Sequence, residues 1–420
     1  MVKKYNMYSR GKNFQIPPGS RKHKISIFVN YFKNMNITES IKYIGVDDLT
    51  LDLFESQYII PNGISYNSYL IMDEKIAIMD SVDYRCLDQW IEKLESALEG
   101  RTPDYLVIQH MEPDHSGSIA HISAKYPQMQ LVASARAIQM LGQFFHDSDF
   151  SGRTISVNEG DTLSLGSHTL KFYMAPMVHW PEVMISYEQS EKIVFSADAF
   201  GKFGALCHEE EWACEARRYY FNICGKYGIP VQQLLKKLAA LEIEQICPLH
   251  GPVLNENIKY YTSLYDIWSS YKAEVKGVFI AHASIHGGTA AAAHKMAEML
   301  KDRGAENIAV TDLCRDDIAE ALEDAFKYDR MIVAASSYDG NVFPAMHNFL
   351  HHLQMKSYQN RTVGMIENGS WAPSAGRVMR GMLEQMKQIE IVEPVVTIRS
   401  RMNPDSIKAM EELADIIASN

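Results

Sequence analysis

Several things are missing from this 420-residue sequence, and each absence removes a class of protein. The six cysteines (Cys86, Cys207, Cys214, Cys224, Cys247, Cys314) contain no C-x-x-C pair, so neither a zinc ribbon nor a rubredoxin-type iron site is encoded. Nothing resembles a disulfide framework, which favours a reducing, cytoplasmic setting. No apolar run approaches the roughly 18 to 20 residues that a transmembrane helix requires, so no membrane role is expected. No fixed-period repeat is visible, which sets repeat architectures aside. Acids are absent from residues 1–36, which hold eight Lys/Arg; residues 37–420 then carry 33 basic against 52 acidic residues. An acidic body argues against nucleic acid as a partner. The basic leader has few Ser and no amphipathic period for a transit peptide, and Ile25–Phe28 is too short for a signal h-region. It is expected to be a basic N-terminal extension, disordered or an upstream start ahead of Met35.

What is present is an ordinary globular composition, 46% hydrophobic and 22% charged, in a chain too long for one core. Two domains are therefore expected. From Ile37 the first reads as short strands and turns: 52–55, 58–60, then a hairpin of Ser68–Ile71 with Lys75–Asp80. A helix follows from Cys86 to Leu98, ending at Gly100, and then the buried strand 105–109. Further strands are expected at 130–133, 154–157, 168–174, 183–187 and 192–196, with a helix between Ser134 and Phe145. The mixture suggests a layered α/β sandwich.

The strand at 105–109 runs into His110-Met111-Glu112-Pro113-Asp114-His115, which holds four metal-type ligands in six residues. On a loop leaving a buried strand such side chains can converge on one point. His with carboxylate suits iron, zinc or manganese. His179, Asp198 and His250 each stand where a later apolar strand stops, giving seven candidate ligands on four strand-end loops. His121, His146, His168 and His208 fall outside the pattern and read as surface or structural.

The motif His-x-x-x-Asp-His, followed by His, Asp and His on successive strand-end loops, resembles the metallo-β-lactamase fold. That family usually has His at the motif's third position; here it is Glu112, and the exchange resembles the flavodiiron proteins. The resemblance implies an αββα sandwich in which one iron takes His110, Glu112 and His179, and the other takes Asp114, His115 and His250, with Asp198 bridging. Carboxylate in place of imidazole hardens the site and lowers its charge, favouring Fe(II)/Fe(III) over zinc. Glu112, Asp198 and Tyr219 are the expected catalytic residues. The aromatic-rich segment Trp212–Tyr227 reads as helical and lies near the diiron pocket in the resembling family. Phe54, Phe200, Tyr219 and Tyr220 are candidates to line the gas-binding cavity.

A boundary falls near Lys276-Gly277, separating expected domains 37–275 and 276–420. Strand 278–281, the loop Ser284-Ile285-His286-Gly287-Gly288-Thr289 and an Ala-rich helix to about Arg303 form the arrangement in which backbone N–H groups and a helix dipole hold phosphate. Strands at 307–311, 330–335, 362–366 and 391–398 alternate with helices near 316–327, 343–355, 374–388 and 404–418. Five such units imply a flavodoxin-like doubly wound parallel sheet. Ser337, Tyr338, Asp339, Gly340 and Asn341 resemble the family's second flavin loop, and Asn368, Gly369, Ser370 and Trp371 the third. Ser284, His286, Gly287, Gly288 and Thr289 complete the expected FMN contacts. Tyr338 or Trp371 is suited to stack on an isoalloxazine. No ribose-reading signature is present, which favours FMN over NAD(P). The chain departs from the family at His286-Gly287-Gly288, where Tyr-Gly-Asn is usual, and at Ser336, where Pro is usual.

The resemblance covers about residues 37–418. It implies reduction of dioxygen to water, of nitric oxide to dinitrogen oxide, or both, at two non-haem Fe ions fed by FMN. It also implies an external donor such as rubredoxin or its reductase, and a head-to-tail homodimer or dimer of dimers. The competing readings are a zinc-dependent hydrolase carrying an accessory flavodoxin-like domain, and a non-enzymatic oxygen sensor or electron-carrier scaffold.

Overall fold

The computed structural model describes residues 36–419, so the basic extension lies outside the described residues but for Asn36. The first sheet runs, edge to edge, through Ile41–Tyr43, Tyr69–Ile71, Ala77–Met79, Tyr105–Ile108, Gln130–Ser134 and Thr154–Val157. Tyr69–Ile71 and Ala77–Met79 form the expected hairpin, Leu70 opposite Ile78. Tyr105–Ile108 lies between two parallel neighbours and is buried at every residue, which is why it reads as a continuous apolar run. The second sheet runs through Thr162–Ser164, Thr169–Met174, Met184–Glu188, Ile193–Phe195 and Gln245–Cys247. Ile71, Val107 and Val132 of the first sheet and Phe172, Met184, Phe195 and Cys247 of the second share one core between them.

Helices cover the outer faces, completing an αββα sandwich. In Leu87–Leu98 the buried residues Leu87, Trp90, Leu94 and Leu98 recur at three- and four-residue spacing, one stripe of a helix. The helix stops at Glu99, which is left-handed, and Gly100 follows at φ +85°. Helix Trp212–Ile223 is shorter than expected: a 3-10 turn, Gly225–Tyr227, closes it before a second helix, Gly228–Leu238, that the sequence reading did not name.

The third sheet is wholly parallel along its main path, in the order Ile308–Asp312, Val275–Ala283, Tyr328–Tyr338, Gln359–Asn368, Lys387–Ile391. That is the 2-1-3-4-5 order of a flavodoxin-like fold, with the ends of the first, third and fourth strands at the ligand edge. Two expectations fail at its far side. The helix expected over 374–388 ends at Leu383, because Lys387-Gln388-Ile389-Glu390-Ile391 alternates with period two and becomes a strand. The strand expected over 391–398 is therefore two pieces, ending at Ile391 and resuming as Val396–Ile398, both beside Gln359–Asn368. Pro394 between them has no N–H to extend a ladder.

Helix Trp212–Ile223 joins the two halves. Phe221 stacks on Phe326 of helix Ile318–Lys327 at 4.1 Å and 10°. Arg217 is buried between Glu323 and Glu274, binding Glu274 through two 2.7 Å contacts. Burial pushes the Glu323 carboxyl up to about 8 against the pull of Arg217. Arg217→Met is expected to destabilise the fold by about 3–5 kcal/mol, since it leaves buried carboxylate uncompensated. The loss should grow as pH rises, because a carboxyl whose folded-state pKa is raised favours the folded state only while it is protonated. Arg217→Met/Glu323→Leu should recover most of it in urea unfolding, and a double variant no better than the single one would contradict this account.

A second ionic cluster pins the start of the first sheet. His168 Nδ1 lies 2.8 Å from Asp73 Oδ2, and Nε2 lies 3.0 Å from Ser40 Oγ and 3.3 Å from Glu191 Oε1. Ser40 Oγ itself donates to Glu191 at 2.7 Å. Burial opposes the imidazolium, but Asp73 and Glu191 together raise the ring's pKa above its ordinary value. This cluster therefore stabilises below the unfolded-state value near 6.5, and its contribution disappears as pH rises through the raised value. His168→Gln should flatten that part of the stability–pH curve; an unchanged curve would show that the pair contributes nothing.

Candidate metal centre and flavin loops

Strand Tyr105–Ile108 aims the first ligand loop. Asp80, buried at the end of the neighbouring strand with φ +54°, accepts from Gln109 N–H at 2.8 Å and Gln109 Nε2 at 2.9 Å. His110 follows at once. Pro113 then opens the short helix Pro113–Ser116, which turns Asp114 and His115 back toward the same space. His179 sits on the connection between Thr169–Met174 and Met184–Glu188; Asp198 follows Ile193–Phe195, and His250 follows Gln245–Cys247. Asn67 holds the last of these loops, donating to the carbonyls of Pro248 and Gly251 at 2.8 and 2.7 Å.

All seven candidate ligands come together, in two groups. His110, Glu112, His179 and Asp198 offer ligand atoms within 4.8 Å of one another, and so do Asp114, His115 and His250. Asp198 faces both groups. Its Oδ2 lies 3.3 Å from His110 Nε2 and 3.1 Å from His179 Nε2. Its Oδ1 lies 3.2 Å from His115 Nε2 and 3.8 Å from His250 Nε2. Glu112 Oε2 is 3.0 Å from His179 Nε2, and Asp114 Oδ2 is 3.3 Å from both His115 and His250. Burial opposes charge here, yet the carboxylates raise His110 well above its ordinary value and His179 to about 9, while the imidazoles hold Glu112 and Asp198 far below the usual carboxylate range.

The donor chemistry fits two cations. Both oxygens of Asp114 and Oδ1 of Asp198 are buried without a hydrogen-bond donor. His115 Nε2 and His250 Nε2 face each other at 3.2 Å, an arrangement that suits two lone pairs aimed at a shared ion. Uncompensated buried carboxylate is costly, and a cation between the groups removes the cost. Two of the four outer ring nitrogens are held as metal-binding imidazoles require. His110 Nδ1 lies 2.8 Å from Glu182 Oε1, which also accepts from Met111 N–H at 2.9 Å. His250 Nδ1 donates to the Ser65 carbonyl at 2.7 Å. His115 Nδ1 is buried without a hydrogen-bond partner.

Sequence reasoning missed Glu182, Ser65 and Asn67. Only Glu182 left a trace, as an acid three residues beyond His179 in a tight Trp-Pro loop. Of the aromatics proposed for the pocket, Phe54 and Tyr219 each lie 5.5 Å from the His250 ring. Phe203, not anticipated, packs on both at 5.6 and 5.1 Å. Phe200 instead stacks on Tyr265 at 4.2 Å, and Tyr220 packs on Tyr265 and Trp268, so these two belong to the core. The Tyr219 hydroxyl is buried without a partner, and burial with Asp198 nearby raises it well above its ordinary value. His121, His146 and His208 are exposed.

The three expected flavin loops lie at the carboxyl ends of strands Val275–Ala283, Tyr328–Tyr338 and Gln359–Asn368. Ser284 Oγ accepts from Gly287 N–H at 3.1 Å, and Gly287 at φ +85° starts the fifteen-residue helix Gly288–Asp302. Gly287 and Gly340 have open space where a side chain would stand. Tyr338 and Trp371 expose 45% and 90% of their surface, far more than an aromatic ordinarily leaves uncovered. An open, glycine-lined cradle with free helical N–H groups and two bare aromatics fits FMN. Some of the expected contacts are otherwise engaged. Ser337 Oγ accepts from Ser374 and Ala375 N–H, Thr289 Oγ1 pairs with Ser336 Oγ, and the Asn368 amide binds Ser400.

An αββα sandwich with a two-group ligand set, followed by a flavodoxin-like sheet, defines the class. The family model described as ODP family beta lactamase matches residues 64–251. An anaerobic nitric oxide reductase flavorubredoxin of Aliivibrio fischeri is 27% identical over 91% of this chain and 79% of its own length. An uncharacterised protein of Methanocaldococcus jannaschii is 26% identical over 91% of this chain and 98% of its own. The rubredoxin oxygen:oxidoreductase of Desulfovibrio gigas has the same fold, with a TM-score of 0.85 at 24% identity over 92% of this chain and 98% of that one. The chain has the fold of solved flavodiiron proteins, that of Giardia intestinalis among them, with a TM-score of 0.82 at 20% identity over 92% of this chain and 97% of that one.

Glu182→Gln, which keeps the shape but removes the charge behind His110, is expected to weaken metal binding by about 10- to 100-fold with the fold retained. Metal content after dialysis against a chelator, alongside circular dichroism, measures this. Unchanged retention would show that Glu182 does not support the site.

Proposed function

We propose that this protein is a flavodiiron oxidoreductase that reduces dioxygen to water, nitric oxide to dinitrogen oxide, or both, protecting its cell from oxygen or nitrosative stress. Residues 37–275 form the diiron domain and 276–420 the FMN domain. His110, Glu112 and His179 would hold one iron and Asp114, His115 and His250 the other, with Asp198 offering one carboxylate oxygen to each group. The observation that carries the reading is the Asp198 carboxylate, one oxygen facing each ligand group, with Glu112 in a position that a zinc hydrolase of this fold fills with imidazole.

The two irons and FMN supply the redox chemistry when bound. The chain's own residues do the rest. Phe54, Phe203 and Tyr219 wall the pocket beside His250 against bulk water. Tyr219, buried and retaining its proton, donates a hydrogen bond to a substrate held there. Glu182 and the Ser65 carbonyl fix the imidazoles they touch.

Electrons come from a rubredoxin-type carrier. The donor's identity would follow from names borne by relatives, flavorubredoxin and rubredoxin oxygen:oxidoreductase. A head-to-tail homodimer brings one protomer's flavin to the other's metals. The setting is cytoplasmic; among the described residues no helix is long and apolar enough to cross a membrane.

Anaerobic purification followed by metal and flavin analysis and by NADH-linked O2 and NO consumption with a rubredoxin supplied tests the reading. Iron, flavin and gas consumption are expected; zinc without iron, or no flavin, would sink it. Glu112→His and Asp198→Ala should each lower turnover by more than the roughly 10- to 100-fold that loss of an outer partner costs. Full activity in either variant contradicts the ligand assignment.

A further inference from the structure

Residues 399–401 were not among those expected at the flavin, yet they tie two of its loops together. Arg401 N–H donates to the Arg399 carbonyl at 2.9 Å, and Ser400 between them has φ +68°. This is a γ-turn of the positive-φ kind, which is rare and strained for a residue with a side chain. Such strain persists only where the surroundings over-determine it, and it concentrates at ligand clamps.

Three hydrogen bonds hold the turn to the third flavin loop. Ser400 N–H donates to Asn368 Oδ1 at 3.1 Å, Asn368 Nδ2 donates to the Ser400 carbonyl at 3.3 Å, and Ser400 Oγ donates to Ser370 Oγ at 2.8 Å. Just before the turn, Gly369 N–H donates to the Ile398 carbonyl at 3.0 Å. On its other side the turn meets the first loop. A Cβ on Gly288 would stand 2.7 Å from the Ser400 carbonyl and 3.2 Å from Asn368 Nδ2, so the close approach requires glycine there. The turn occupies the space that any side chain at Gly288 would need.

The strained turn carries two guanidinium groups. Arg399 and Arg401 pair across it as an antiparallel bridge, which sends both side chains to the same face. Both residues are exposed, and among the described residues neither forms an ion pair, although the chain as a whole carries a net charge of −11. The first loop, Ser284 to Thr289, offers backbone N–H groups, hydroxyls and His286, and no Lys or Arg. A phosphate monoester there lacks a permanent cation unless one is supplied from outside the loop.

We propose that Arg399-Ser400-Arg401 is a fourth element of the flavin site, a step that rests on the FMN reading above. Ser400 fixes the spacing between the phosphate turn and the third loop, and Arg399 and Arg401 neutralise the FMN phosphate. The chain then distinguishes FMN from riboflavin chiefly through these two arginines, and FMN affinity falls as salt screens them.

The test strips flavin from the full-length protein and follows rebinding of FMN and of riboflavin by quenching of flavin fluorescence. Arg399→Ala/Arg401→Ala should weaken FMN by roughly tenfold or more, the scale of lost charge-assisted hydrogen bonds. It should leave riboflavin affinity unchanged, which also certifies the fold, and reduce the salt dependence of FMN binding. Asn368→Ala, which frees the turn, should weaken FMN more than riboflavin. FMN affinity equal to that of the parent in the double variant, or equal losses for the two flavins, would overturn the proposal. A parent protein that rebinds neither flavin would overturn the FMN reading itself, a separate outcome.

Discussion

The structure depends on how three carboxylates are kept inside it. Glu112, Asp114 and Asp198 meet four imidazoles in a pocket where Asp114 and Asp198 expose almost nothing, and three of their oxygens have no donor. Left alone, such a group is among the most expensive things a protein can bury. Cations held by the two ligand groups would turn that cost into binding energy, and Asp198, with one oxygen on each side, faces both groups. The same constraint explains the surroundings: Glu182 behind His110 and the Ser65 carbonyl behind His250 orient rings that must serve as lone-pair donors.

The scaffold meets this demand by stopping strands at the right places. Four ligand-bearing loops leave strands of two facing sheets, so their tips share one rim of the sandwich, and Asp80 and Asn67 secure two of them. Helix Trp212–Ile223 then serves both halves of the chain. Tyr219 lies beside His250, while Arg217 and Phe221 engage Glu323 and Phe326 of the flavodoxin-like half. One helix thus carries both a wall of the metal pocket and the contacts to the second half.

At the flavin edge, loops that look independent in sequence are cross-braced. Ser337 caps the helix that follows the third loop, and Asn368 is committed to Ser400. Polar side chains in such loops first satisfy backbone groups, as the orphan donors of turns and helix starts require. This leaves the backbone N–H groups, the exposed aromatics and the flanking arginines as the features facing outward.

The sequence by itself determined the architecture and the seven residues of the candidate centre. Buried parallel strands read as apolar runs, turns as Gly and Pro, and ligands as His, Asp and Glu at strand ends, because these signals are local. Glu112 was legible for the same reason: its meaning lies in one position of a short motif. Contacts made across long separations were not. Glu182 lies 72 residues from His110, and Ser65 lies 185 from His250, so no spacing announced them. Phe200 and Tyr220 looked equal to Tyr219 in sequence, since a helix or loop does not reveal which way its aromatics face until its neighbours are packed. The division between Lys387–Ile391 and Val396–Ile398 had the same origin: a marginal helix signal yielded to a free sheet edge. Only the tertiary structure decided these, because packing overrides propensity wherever local preference is weak.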